Sequence, residues 1–138
     1  MTLKEFIGEG DRFALHSGVR VLSVAENFGK AELTVAAEHL NAGGVCQGGA
    51  IFTLADTALA LAANSGLMLT LSVDASINYH RAAMLGDVLT AEAVALCAHP
   101  KLPSFEVRVT NQRGELVASF KSTCYTKKAA LNGVTELE

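Results

Sequence analysis

Tryptophan is missing from this chain, and with only six phenylalanines and two tyrosines the apolar interior falls mainly to aliphatic side chains. Cysteine is scarce and unpatterned. The three residues Cys46, Cys97 and Cys124 are odd in number and lack C-x-x-C spacing, which argues against a disulfide framework or a zinc knuckle and fits a reducing compartment. No other grouping has metal-ligand spacing, so no metal is expected. Basic runs are absent too. Lys and Arg, 11 in all against 14 Asp and Glu, are scattered and give a net charge of −3, with no cationic stripe that could follow a phosphate backbone. Nucleic acid is not an expected partner. The most apolar stretch, residues 50–64, is too short and too interrupted by Thr53, Asp56 and Thr57 to span a bilayer, and the first ten residues lack the apolar core of a signal peptide. The expectation is a cytoplasmic protein with no membrane partner.

What is present describes an ordered globular protein: 138 residues, 50% hydrophobic and 18% charged, read as one domain over 1–138. Residues 2–8 predict a short amphipathic helix with Leu3, Phe6 and Ile7 on one side and Thr2 as its N-cap. Segments 19–25 and 30–36 read as an antiparallel pair joined by the turn Glu26-Asn27-Phe28-Gly29. Four glycines in 38–49 mark a loop, and the Ala- and Leu-rich run 48–64 predicts a long buried helix. Its polar residues Thr53, Asp56, Thr57 and Asn64 are spaced to share a face, with Ala60 in the gap. Four further strands are expected at about 70–80, 87–98, 103–111 and 115–127, and the tail 129–138 loses alternation and is expected to fray. A six-stranded antiparallel sheet covers such a helix only by curling around it, leaving the rest to a partner subunit.

Asp56 is the most informative residue. An ionised carboxylate in an apolar stretch, with no Lys or Arg nearby in sequence, costs several kcal/mol or has its pKa forced upward. A reactive site explains that cost, whereas the plainer reading is a helix carboxylate bonded to backbone or to Thr53. Asn41 and the glycines could be turn formers, Gln47 could serve loop amides, and Ser72 could be an ordinary strand serine. Asp74 is a secondary candidate beside Ser72 that reads as an exposed or interface residue, and His16 and His99 read as surface residues. Cys46 with His39 raises a Cys–His nucleophile, although no third group is in place to orient it.

The pattern His39-x-Asn41-x-x-Gly44-x-x-Gln47-Gly48-Gly49, then Leu54-Ala55-Asp56-x-Ala58, Ser72-Val73-Asp74-Ala75-Ser76-Ile77-Asn78-Tyr79 and Leu85-Gly86-Asp87, resembles the hotdog-fold acyl-CoA thioesterases, in particular their phenylacetate-degradation-type branch. The resemblance covers most of the chain. It implies an α+β hotdog fold, a curved sheet of about six strands around one central helix plus a short N-terminal helix. It also implies homodimers or homotetramers built as dimers of dimers, and an acyl-CoA substrate with an aromatic or a short to medium acyl group. No cofactor is implied, since CoA belongs to the substrate. By the same resemblance Asp56, Gly48 and Asn41 are catalytic. The carboxylate activates water or attacks the thioester, the Gly48 N–H polarises the carbonyl, and Asn41 helps hold the carbonyl or the water. Gln47, Gly49, Ser72, His80, Arg81 and Lys101 are the substrate-binding candidates, the last three for CoA phosphates. Two departures stand out. Gln47 occupies a position where many relatives carry His, and Arg81-Ala82 replaces Arg-Pro.

The chemistry is sound without the family. An unpaired N–H at a helix N-terminus offers a donor and a favourable dipole to a carbonyl gaining negative charge, and a carboxylate of raised pKa is a useful base. Eight residues of helix separate Gly48 from Asp56 by about 12 Å, so a carbonyl held between them needs Gly48 from a neighbouring subunit. Two rival readings remain. One is a non-catalytic acyl-CoA-binding or sensing module, the other a hotdog dehydratase, which would want a catalytic His where Gln47 stands.

Overall fold

The computed structural model describes residues 1–138. Helices α1 (Leu3–Gly10) and α2 (Arg12–His16) precede strands β1 (Arg20–Ala25) and β2 (Phe28–Thr34). A single 3-10 turn, Ala37–His39, leads to the long helix α3 (Gly48–Ala63), followed by β3 (Met68–Tyr79), β4 (Val88–Cys97), β5 (Ser104–Thr110) and β6 (Leu116–Ala130). All pairings are antiparallel, in the order β1-β2-β4-β5-β6-β3. This is the α+β hotdog architecture expected above.

Period-2 alternation decides which side of the sheet meets α3. Leu89, Ala91 and Ala93 of β4 and Phe105, Val107 and Val109 of β5 are fully or almost fully buried. They pack with Leu54, Ala55, Ala58 and Leu59 of α3 in one core. The closest approach is at Gly29, where a Cβ would lie 2.4 Å from the Ala58 carbonyl oxygen and 2.6 Å from Leu61 Cβ. Only glycine lets β2 cross the helix there. The expected four-residue turn is accordingly shorter. Asn27 takes a left-handed conformation (φ 55°) beside Glu26, and Phe28 and Gly29 belong to the strand.

Three other expectations change. α1 forms as predicted, with Thr2 and Glu5 completing a capping box, but a second helix follows because Asp11 caps it through a 3.0 Å bond from the Ala14 N–H. The tail does not fray. β6 runs on to Ala130, and Leu131 and Val134 are buried with Leu3 and Leu61 in a second small core. Two isolated anchors dock this segment, which is why no periodicity announced it. Finally, α3 is not buried all round. Thr57 and Asn64 turn inward, Thr57 bonding the Thr53 carbonyl and Asn64 gripping the backbone of Thr70. Thr53, Asp56 and Ala60 remain on a side that the sheet does not cover. Beside them β3 forms one edge of the sheet, with Leu71 and Val73 exposed.

Candidate active site

The loop before α3 is built from its own amides. Asn41 Oδ1 accepts from Gly43 N–H at 2.9 Å and from Val45 N–H at 3.3 Å, while Cys46 N–H donates to the Ala83 carbonyl at 2.8 Å. This uses the Asn41 oxygen and leaves its Nδ2 hydrogens available to an incoming acceptor. Gln47 is the N-cap of α3. Its Oε1 accepts from Gly49 N–H at 3.0 Å, so its side chain serves a loop amide, as the plainer reading held. The Gly48 N–H is taken up by no acceptor in the preceding loop. A helix-terminal donor, with the positive end of the helix dipole behind it, is thereby left for a ligand.

Tyr79 is a residue the sequence did not reveal as part of this site. Its hydroxyl donates to the Gly48 carbonyl at 2.8 Å, and a Cβ at position 48 would lie 2.9 Å from that hydroxyl and ring. Gly48 and Tyr79 share a cleft of about 420 Å³ with His80 and Arg81. His80 Nε2 lies 2.9 Å from Ser119 Oγ, and Arg81 Nη1 donates to Glu115 Oε2 at 2.7 Å. Lys101 is elsewhere. Its carbonyl accepts from Thr126 N–H, and β6 pairs Thr126 with Thr70 but Ala118 with Tyr79, some eight residues or about 26 Å further along the strand. The expected cluster of three phosphate-binding cations is therefore two cations and a distant third within one chain.

Asp56 lies two turns into α3, on the open side of the helix, at a separate cleft of about 250 Å³. It is not the wholly buried carboxylate expected from the sequence. Solvent reaches it in the isolated chain, which spares the full cost of desolvation. The apolar groups around it still push its pKa up, with the negative charge of Asp11 as the second cause. Thr53 is not its partner. The Thr53 and Thr57 hydroxyls both donate to helix carbonyls, leaving the Asp56 carboxylate unbonded within the chain. Ser72 lies in the same cleft, its Oγ 2.6 Å from Ser122 Oγ. Asp74 is exposed, as expected.

The Cys–His arrangement does not form. His39 Nδ1 accepts from Ala36 N–H at 2.8 Å and Nε2 donates to the Ser17 carbonyl at 2.6 Å, so both ring nitrogens serve the backbone. Burial raises the Cys46 thiol above its ordinary pKa, the wrong direction for a nucleophile. Asp87, in the Leu85-Gly86-Asp87 turn, is structural. It accepts from Met84 N–H and from Gln112 Nε2, the first of these chiefly holding its pKa low. One chain thus presents a bare helix N-terminus at one cleft and an unbonded carboxylate of raised pKa at another, with Asn41, Gln47 and Gly49 lining a third, about 610 Å³, between α2 and the loop.

Residues 43–118 match the thioesterase superfamily. Over 123 residues the chain is 39% identical to an Archaeoglobus fulgidus protein named "Putative esterase", covering 89% of this chain and 80% of that one. It is 31% identical over 125 residues to the acyl-coenzyme A thioesterase PaaI of Escherichia coli K12, covering 91% and 89% of the two chains. The structure of E. coli PaaI, from the phenylacetic acid degradation operon, superposes with a TM-score of 0.85 over 88% of each chain. Two mutant structures of a hypothetical thioesterase from Streptococcus pneumoniae TIGR4 superpose with a TM-score of 0.75, at 26% and 27% identity, over 79% of this chain and 90% and 89% of theirs. One replaces an aspartate by alanine and the other a threonine 16 positions later. The chain belongs to the thioesterase superfamily and is a thioester hydrolase of the hotdog fold.

Proposed function

We propose that the protein hydrolyses an acyl-CoA carrying an aromatic or a short to medium acyl group, giving the free acid and CoA, in the cytoplasm and as a homodimer or a dimer of dimers. The observation that carries this reading is the pairing of two unsatisfied groups on α3, the Gly48 N–H and the Asp56 carboxylate with its raised pKa. About 12 Å of helix keeps them apart in one chain, and the uncovered side of α3 beside the exposed edge strand β3 is where a second copy would bring them together. The thioester carbonyl then accepts from Gly48 N–H of one subunit, helped by Asn41 Nδ2. Asp56 of the other takes a proton from water as its oxygen bonds to the carbonyl carbon, or attacks that carbon itself, with water then cleaving the anhydride. In both cases the C–S bond breaks and a proton ends on the departing thiol.

Ser72 helps hold the water in this reading. The 16-residue interval from Asp56 to Ser72 equals that between the two positions altered in the pneumococcal relative. Gln47 and Gly49 line the route to the carbonyl. His80 and Arg81 meet CoA phosphates beside Gly48, Arg81 exchanging its partner Glu115 for phosphate, whereas Lys101 reaches that cleft only from another subunit. A dehydratase is disfavoured because Gln47 stands where its catalytic His would be and spends its side chain capping α3, and His39 is fully engaged by backbone.

The test is thiol release from a panel of acetyl-, hexanoyl-, phenylacetyl- and palmitoyl-CoA by the purified protein. Turnover of at least one member with a compact acyl group is expected. Binding of CoA esters without turnover of any member would identify a sensing module instead.

A further inference from the structure

The cleft beside Asp56 is closed on one side by the two ends of the chain. Leu3 N–H donates to the Glu136 carbonyl at 2.8 Å, Lys4 N–H to the Leu137 carbonyl at 3.0 Å, and the Met1 ammonium to the Gly133 carbonyl at 2.8 Å. Leu3, fully buried, packs against Leu131 and Val134 beneath these bonds. Clamped in this way, α1 directs Phe6 and Ile7 into the Asp56 cleft, where they line it with Leu131 and with Leu59 and Leu69. The polar residues there are Asp56, Asn64, Thr70 and Ser72, and no cation is among them. Asn64 and Thr70 are committed to one another through the backbone of Thr70. An apolar space of about 250 Å³ with a carboxylate at its side suits an uncharged hydrocarbon group and not the phosphates of CoA.

Resting on the acyl-CoA hydrolase reading above, we infer that this cleft is the acyl pocket and that Phe6 and Ile7, held by the clasp of the two termini, limit acyl length. Compact apolar acyl groups stop in front of α1; a long unbranched chain runs into it. The limit comes from packing, so it moves with side-chain volume. Phe6 is 37% exposed, which makes it the position where volume is removed with least harm to the core. Ala60, half-buried on the facing helix, is where volume is added.

The experiment measures kcat/KM for acetyl-, hexanoyl-, phenylacetyl- and decanoyl-CoA with wild type, Phe6→Ala and Ala60→Leu. In parallel it measures melting-temperature shifts produced by the free acids hexanoate, phenylacetate and decanoate. Phe6→Ala is expected to raise the decanoyl to hexanoyl ratio about tenfold, and Ala60→Leu to lower hexanoyl and phenylacetyl turnover about tenfold relative to acetyl. The shifts by free acids should move the same way. Wild-type preference for decanoyl, or ratios and acid shifts unchanged in both variants with melting temperatures near wild type, overturns the inference. Absence of thiol release by wild type from every ester defeats the hydrolase reading instead, and the acid shifts then still decide whether α1 bounds the pocket.

Discussion

Asp56→Ala should reduce thioester hydrolysis by about a thousandfold in kcat while leaving the fold intact, because a positioned general base contributes roughly 10²–10⁴ to the rate. The two halves of that outcome have different origins. Catalysis is lost because Asp56 is the one carboxylate lining the cleft, where Ser72 is an unactivated hydroxyl and burial pushes the Cys124 thiol above its ordinary pKa. Stability is kept because the carboxylate bonds to nothing in the chain and occupies the open side of α3. Its raised pKa goes further, since the folded protein holds this proton more tightly than the unfolded chain does. The resulting stabilisation is complete below the ordinary aspartate range and disappears as pH rises through the folded pKa. At neutral pH the ionised group is therefore a burden, and Asp56→Asn should leave the melting temperature unchanged or raise it. Calorimetry across pH should show the difference from wild type closing in acid. Hydrolysis by wild type should rise with pH along a limb set above the usual aspartate pKa. A melting temperature well below wild type for Asp56→Asn at neutral pH would mean that the carboxylate is a structural group.

The largest loss of stability is expected from a residue far from any chemistry. Gly29→Ala places a methyl group 2.4 Å from the Ala58 carbonyl oxygen, 2.6 Å from Leu61 Cβ and 3.0 Å from the Ala62 amide nitrogen. These atoms belong to the buried side of a long helix and cannot swing aside as a side-chain tip would, so β2 and α3 must separate. Overpacking of this kind costs 1–3 kcal/mol in ordinary cores, and about 3 kcal/mol or more is expected here. Gly10→Ala is the matched control, because a Cβ there meets nothing within 4 Å. Urea denaturation of both variants gives the comparison. A loss below about 1 kcal/mol for Gly29→Ala would show that the sheet is free to shift against its helix.

Gly29 also shows where sequence and structure part. Read locally, Glu26-Asn27-Phe28-Gly29 is turn chemistry; the third dimension makes Gly29 a packing residue whose missing side chain admits the helix. The strands and α3 were legible because alternation and Ala/Leu content are local signals that burial then reinforces. So was the start of α1, through the Thr2 cap. What was hidden depends on partners distant in sequence. Tyr79 reaches Gly48 across 31 residues. Leu131 and Val134 are isolated anchors rather than a periodic stripe. The exposure of Asp56 was hidden for a related reason: a helix apolar on every side does not say which side its own sheet covers, so the same pattern serves burial by one chain or by two. Lys101 was expected to join His80 and Arg81 at the CoA phosphates, but the β4–β5 connection that carries it docks on β6 beside Thr126, at the opposite end from the residues paired with Tyr79.

The most direct measurement is subunit complementation between Asp56→Ala and Gly48→Val, whose added side chain meets the Tyr79 hydroxyl and ring and displaces the start of α3 from its place at the carbonyl. Each variant alone should be inactive. If every site combines Asp56 of one subunit with Gly48 of the other, unfolding and refolding an equal mixture should restore about a quarter of wild-type activity, since half of the randomly formed dimers carry one intact site of two. A mixture as inactive as its components, with mixed dimers demonstrated by mass spectrometry, would contradict the shared site.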